Sequence, residues 1–261
     1  MKLNFKKIGE GFPVVILHGL LGSLDNWQTI AKKLAESRTG FSIYIIDQRN
    51  HGRSPHSSEF SYQLLVEDLK EFFAQQQISK AHVVGHSMGG KTAMLFALQN
   101  PELVAKLVGV DITPASYSDK HSDVFSALFK TDAAHAESRQ QVETVLRNEL
   151  QNDETTVQFL MKGLTRIEDG QTGNFVWRFN LEALHNNYSE ISKEINADKP
   201  FTGETLFIKG EKSSYINASN FSSADKLFPN NQLTEIKGAG HWVHAERPAE
   251  FFKAVSEFLL Q

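Results

Sequence analysis

Residues 81–90 read AHVVGHSMGG, and the fold turns on how this stretch is read. Ala81–Gly85 is a short apolar run of the kind that forms a buried strand, and Ser87–Asn100 carries helical spacing. Between them Gly85-His86-Ser87-Met88-Gly89 matches G-x-S-x-G. The bare pattern is short and weak. Its setting is more specific, because a strand before and a helix after are what hold a serine on a sharp turn above the end of a sheet. The glycines let the backbone turn, and the helix N-terminus then lies under any negative charge that develops on a bound acyl group. The bland alternative is a tight turn with a capping serine.

The same rhythm extends outward. Pro13–Leu17, Ser42–Asp47, Lys106–Asp111 and Thr205–Lys209 are further near-continuous apolar runs, and Gln232–Lys237 is a weaker one. Runs without alternation suit parallel strands covered on both faces. Helical patterns lie between them: Asp25–Ser37 with Asp25 as the expected N-cap, Ser61–Gln77, and Pro248–Leu260. Strand–helix alternation predicts an α/β fold, a mostly parallel, doubly wound sheet with right-handed crossovers. Residues 113–195 break the rhythm. They are polar and helix-patterned, with Val124, Phe125, Leu128 and Phe129 spaced for one helix and Val142, Val145, Leu146 and Leu150 for another. Thr155–Leu164 and Asn180–Ile191 suggest two more. The expected organisation is therefore a core domain of residues 1–112 and 196–261, interrupted by a helical cap insertion of residues 113–195.

Bulk properties narrow the function. The 261 residues are 40% apolar and carry a formal charge of -4, so there is a sizeable core and no electrostatic case for nucleic acid. Without cysteine, thiolate catalysis and disulfides are excluded. The N-terminal stretch has no long apolar run after its positive charges and reads as a strand rather than a signal peptide. No run is long enough for a membrane-spanning helix. A cytoplasmic monomer or homodimer with no membrane insertion is the expectation. The histidines lack the helical spacing of a zinc site, and the glycine loops match neither G-x-G-x-x-G nor a P-loop. No metal and no cofactor are expected.

At this point the chain resembles the α/β-hydrolase family over nearly its whole length. LHGLLG (17–22) is similar to that family's HG loop, and DQRNHGRS (47–54) resembles its D-x-R-G-x-G-x-S loop with Asn50 in place of a glycine. GAGHWVHAERP (238–248) is similar to its histidine loop. Together with HGLLGSLDNW, GHSMGGK and WRFN (177–180), these motifs look closest to the bacterial YbfF-type esterases.

A serine hydroxyl needs a base. His86 should point away from its neighbour Ser87, and His18 follows the first long strand and is expected to line the pocket. His241 sits on a small-residue loop after the last strand and follows the nucleophile in chain order, which makes it the better base. His244 is read as structural. The oxyanion donors expected are the Met88 N–H and, by resemblance, the Leu20 N–H.

The acid is the open question. In most of the family it follows the strand read here at Thr205–Lys209, in a G-x-x-D pattern, yet this chain has Gly210-Glu211-Lys212-Ser213. Glu211, Asp225 and Asp111 are the alternatives. Asp111 ends the strand immediately after the nucleophile's helix, and the YbfF-type resemblance carries the acid role to it. Asp47 also ends a strand and is read as organising the Arg49–Ser54 loop. Ser213 is then either a turn residue or a hydroxyl supporting the His–acid pair. Phe125, Phe129 and Trp242 are candidate substrate-binding residues beneath the insertion, with core packing as the alternative for the two phenylalanines.

The reading is a serine hydrolase of carboxylic esters, and the resemblance implies short to medium acyl groups. The resemblance adds acyl-CoA thioesters, so the expected partner is a small-molecule ester or thioester. Rival readings are a C–C bond hydrolase or lyase on the same residues, and a binding protein that keeps the fold with little turnover.

Overall fold

The computed structural model describes residues 1–37, 40–118, 120–166 and 175–261. Seven strands form one sheet among the described residues: β1 (Phe5–Ile8), β2 (Phe12–Leu17), β3 (Phe41–Ile46), β4 (Ala81–His86), β5 (Val104–Val110), β8 (Glu204–Gly210) and β9 (Asn231–Ile236). Their spatial order is β1-β3-β2-β4-β5-β8-β9. Only β1 is antiparallel to its neighbour. Successive residues of a strand face opposite sides, which is why the inner strands, covered on both faces, are largely apolar, while the edge strands β1 and β9 carry exposed polar residues. Val14 and Ile16 pack in one core, against α1 (Gln28–Glu36) and α11 (Pro248–Leu260). Val15 and Leu17 pack in the other, against α2 (Tyr62–Gln75) and α3 (Met88–Gln99).

The expected cap at Asp25 is corrected. A 3-10 turn, Leu24–Trp27, precedes α1 and Ser23 is its N-cap. Ser23 N–H donates to Asn26 Oδ1 at 2.7 Å, so that end is already closed, and Asp25 instead takes Arg178 Nη1 at 2.8 Å.

Between β5 and β8 lie α4 (Ser122–Lys130), α5 (Arg139–Glu149), α6 (Glu154–Met161), β6 (Leu164–Arg166), β7 (Phe175–Trp177), α7 (Leu181–Asn186) and α8 (Tyr188–Ser192). Residues 119 and 167–174 of the expected insertion lie outside the described residues. The antiparallel pair β6–β7 was not expected from the sequence, being three residues a strand. The helix expected over Asn180–Ile191 is divided at Asn187, whose side chain donates to Ala183 O at 2.8 Å and Ser58 O at 3.0 Å. An asparagine that bonds local backbone in this way competes with helix continuation.

The segment is tied to the sheet through WRFN: Asn180 N donates to Asn50 O at 2.9 Å, and Phe179 bridges His51. At its far end Tyr62 Oη donates to Ile191 O at 2.7 Å. After β8 the chain continues through α9 (Ala218–Leu227), β9 and α10 (Val243–Glu246) to α11. No helix among the described residues is long and apolar enough to cross a membrane.

Candidate active site

The register of the central strands brings the candidate residues together. His86 on β4 pairs with Val110 on β5, so Ser87 and Asp111 each come one residue past the end of adjacent strands. Ser87 holds φ 52° and ψ -119°, and Asp111 holds φ 49°. A positive φ costs a residue with a Cβ about 1–3 kcal/mol, so both positions are held by their surroundings. At the serine those surroundings explain the glycines: a Cβ on Gly85 would stand 2.2 Å from Gly89 O, and one on Gly89 would stand 2.4 Å from His18 O. Ser87 N is fixed by Val110 O at 3.0 Å. Its hydroxyl has no hydrogen-bond partner among the described residues and faces a cavity of about 170 Å³ that His241 also lines.

Asp111 is completely buried. Its Oδ2 accepts from His241 Nδ1 at 2.7 Å, and the Ser213 hydroxyl donates to the same oxygen. Gly210 N donates to Oδ1 at 3.1 Å. Because the carboxylate accepts, Nδ1 of His241 carries the proton and the Nε2 lone pair is free. Tyr215 stacks on the imidazole with ring centres 4.0 Å apart and 18° between planes. Glu246 braces the loop from behind, accepting from Gly240 N at 2.7 Å and Trp242 N at 3.1 Å. The other carboxylates do not reach the pair: Glu211 accepts from Gly238 N at 2.7 Å in an exposed loop, and Asp225 bonds Asn231 at 3.0 Å.

Three further histidines surround the site and are held neutral by burial. His86 donates from Nε2 to His241 O at 2.9 Å; burial, helped by its neighbours His241 and His244, pushes its pKa well down. His244 stacks flat on Trp27 with centres 4.1 Å apart, and burial lowers its pKa to about 3. His18 is the correction. It is 1% exposed, takes Gln48 N on Nε2 at 3.0 Å and donates from Nδ1 to Gly19 O at 2.8 Å. Nε2 joins the 17–22 loop to the 47–54 loop, Nδ1 closes on its own loop, and the ring does not line the cavity. His51 does the same for Leu21, taking its N–H on Nε2 at 3.1 Å. Asp47 accepts from Leu24 N and Arg53 N at 2.7 and 2.9 Å. Leu20 N–H, between these fixed points, has no partner among the described residues, and Met88 is the first residue of α3, where a backbone N–H has no intrahelical acceptor.

The phenylalanines expected under the insertion lie elsewhere. Phe125 is 2% exposed and packs edge-on to His185 and Tyr188. Phe129 is 47% exposed, away from Ser87. The insertion contributes Val124, Phe159 and Leu160 to the cavity wall instead, and Trp242 does line it, with its ring centre 5.0 Å from that of Phe159. Sequence reading missed Phe159, Tyr215, Lys120 and His121. Phe159 lies in a helix the periodicity does place, but the others carry no local signal. Among the described residues no group of three metal-ligating side chains is gathered.

A parallel sheet with its serine turn at the end of a central strand, and an Asp–His pair arriving beside it from later strand ends, defines the class. A family model described as the alpha/beta hydrolase fold matches residues 13–248, and the chain belongs to the α/β-hydrolase family. Within that family it is similar to proteins named for ester chemistry. Esterase YbfF of Escherichia coli is 37% identical over 268 residues, covering 99% of each chain. The sn-1-specific diacylglycerol lipase ABHD11 of Danio rerio is 38% identical over 258 residues, covering 96% of this chain and 79% of the relative. Among solved structures, a marine microorganism esterase superposes with a TM-score of 0.93 at 40% identity, covering 98% of this chain and 99% of that one.

Proposed function

We propose that this chain is a carboxylic-ester hydrolase that works through an acyl-enzyme on Ser87. The observation that carries the reading is the 2.7 Å contact with Asp111 of His241 Nδ1, whose ring lines the cavity that Ser87 also lines. Ser87 Oγ attacks the acyl carbonyl while His241 Nε2 takes its proton. Asp111 holds the tautomer and stabilises the imidazolium, and it stays ionised. The Leu20 and Met88 N–H groups receive the oxyanion. His241 then protonates the leaving oxygen as the C–O bond breaks. In the second half, water attacks the acyl-serine, His241 takes the water proton and returns one to Ser87 Oγ.

Residues 113–195 act as a cap over a core of residues 1–112 and 196–261, supplying the apolar wall at Val124, Phe159 and Leu160. A cavity of about 170 Å³ suits short acyl groups, and thioesters of the same acyl groups meet the same oxyanion site. Ser213 supports the Asp–His pair through its bond to Asp111 Oδ2.

The test is labelling by a serine-directed fluorophosphonate, with turnover of p-nitrophenyl acetate followed beside longer esters. Ser87 should be labelled, and turnover should fall as the acyl chain lengthens. Absence of both labelling and turnover overturns the reading.

A further inference from the structure

We infer that the preferred substrate of this site carries a carboxylate on one side of its ester bond, and that Lys120 is the residue that selects it. The inference rests on the ester-hydrolase reading above and names its substrate class. Ser87 lines two adjoining cavities, the one of about 170 Å³ and a smaller one of about 30 Å³. Their walls differ. The larger runs away from Ser87 along apolar side chains, Val124, Phe159, Leu160 and Trp242 among them. The smaller is bounded by Lys91 and Lys120. Lys120 reaches both, and no aspartate or glutamate among the described residues lines either.

The hydrogen-bond partners of the two ammonium groups are neutral, and the carboxylates that act on them from further off are Glu194 on Lys91 and Asp111 on Lys120. Lys120 Nζ donates to Ser214 Oγ at 3.0 Å and lies over the Tyr215 ring, 4.1 Å from its centre. One of three donors is thereby used, and two remain for a ligand. Lys91 is 1% exposed, and its Nζ donates to the carbonyl oxygens of Ser192 and Lys193. Burial lowers its pKa to about 7, so an anion nearby favours its charged form. Asp111 makes no hydrogen bond to Lys120, its oxygens being occupied by His241, Ser213 and Gly210. A cleft lined by one sign of charge concentrates ligands of the opposite sign. A wholly neutral ester draws nothing from this arrangement, whereas an ester with one apolar arm and one carboxylate arm complements both walls.

The experiment measures kcat/KM on two matched pairs. The acyl-side pair is 4-nitrophenyl hemiglutarate against 4-nitrophenyl pentanoate. The leaving-group pair is 4-acetoxybenzoate against 4-acetoxytoluene. Wild type, Lys120→Met and Lys120→Arg are compared, so intrinsic reactivities cancel between enzymes. In one pair the anionic-to-neutral ratio should fall about tenfold or more in Lys120→Met, the scale of a lost charge-assisted hydrogen bond, and recover in Lys120→Arg. Raising the salt from about 0.05 to about 0.5 M should erode the wild-type ratio and leave the methionine variant's ratio flat. Equal losses on both members of both pairs overturn the inference. Turnover of the neutral esters that disappears in Ser87→Ala upholds the parent reading by itself; wild-type turnover of neither member overturns the parent reading, and this inference with it.

Discussion

Two loops meet at His241, one following β5 and the other following β8. The first supplies a charge: Asp111, fully buried, at a positive φ, bonded to His241 Nδ1 at 2.7 Å. The second supplies no charge, although the carboxylate of most relatives' pattern is expected there. It supplies the Ser213 hydroxyl on the same carboxylate oxygen, the Tyr215 ring on the imidazole and the Ser214 hydroxyl on Lys120. Strand order explains why either loop can serve. β5 lies between β4 and β8, and Val110 pairs with both His86 and Ile208, so the two loops flank the same point on the sheet edge. Under the proposed mechanism the acid is specified by where a carboxylate arrives in space, and the loop position without a carboxylate gives neutral support.

The largest break in the comparison is Asp111→Asn, which should lower kcat by about 10⁴ by analogy with other triad acids, read on a short p-nitrophenyl ester. Adding Ser213→Asp to that variant moves the charge to the β8 loop, and it should regain activity at least about tenfold over Asp111→Asn alone. No regain would mean that the second loop has lost the geometry for an acid as well as the residue. Ser213→Ala alone removes one hydrogen bond to a charged group and should cost roughly tenfold in kcat/KM. Tyr215→Ala removes the stacked ring, worth about 0.5–1.5 kcal/mol, and a two- to tenfold loss of kcat is expected. Glu211→Gln, in the same loop but bonded to Gly238 N, should leave kcat/KM within about twofold; a loss near that of Asp111→Asn would exchange the roles assigned to the two loops.

The inner strands were legible because parallel strands buried on both faces are written as near-continuous apolar runs; their observed limits, and those of the weaker run at β9, fall within two residues of the sequence reading. β6 and β7 were not legible, since three residues show no period. The serine turn was legible as a strand, a short motif and a helix in succession. The cavity wall was not. Helical spacing grouped Val124, Phe125 and Phe129 on one helix, yet neighbouring residues on a helix point about 100° apart. Packing against His185 and Tyr188 buries Phe125 and turns Val124 toward the cavity. His18 looked like a pocket residue from its place after a strand, and its nitrogens are taken up by Gln48 N of the 47–54 loop and by Gly19 O of its own loop.

By itself, then, the sequence determined the kind of sheet, the position of Ser87 at the end of one of its strands, and the short set of carboxylates and histidines from which its partners must come. These are local matters of burial and backbone freedom, which residue type and spacing encode directly. The tertiary structure decided which of those groups meet. Asp111 and His241 are 130 residues apart, and only strand order and register bring them to one edge, with Ser213, Tyr215 and Lys120 drawn in by contacts that no local pattern carries.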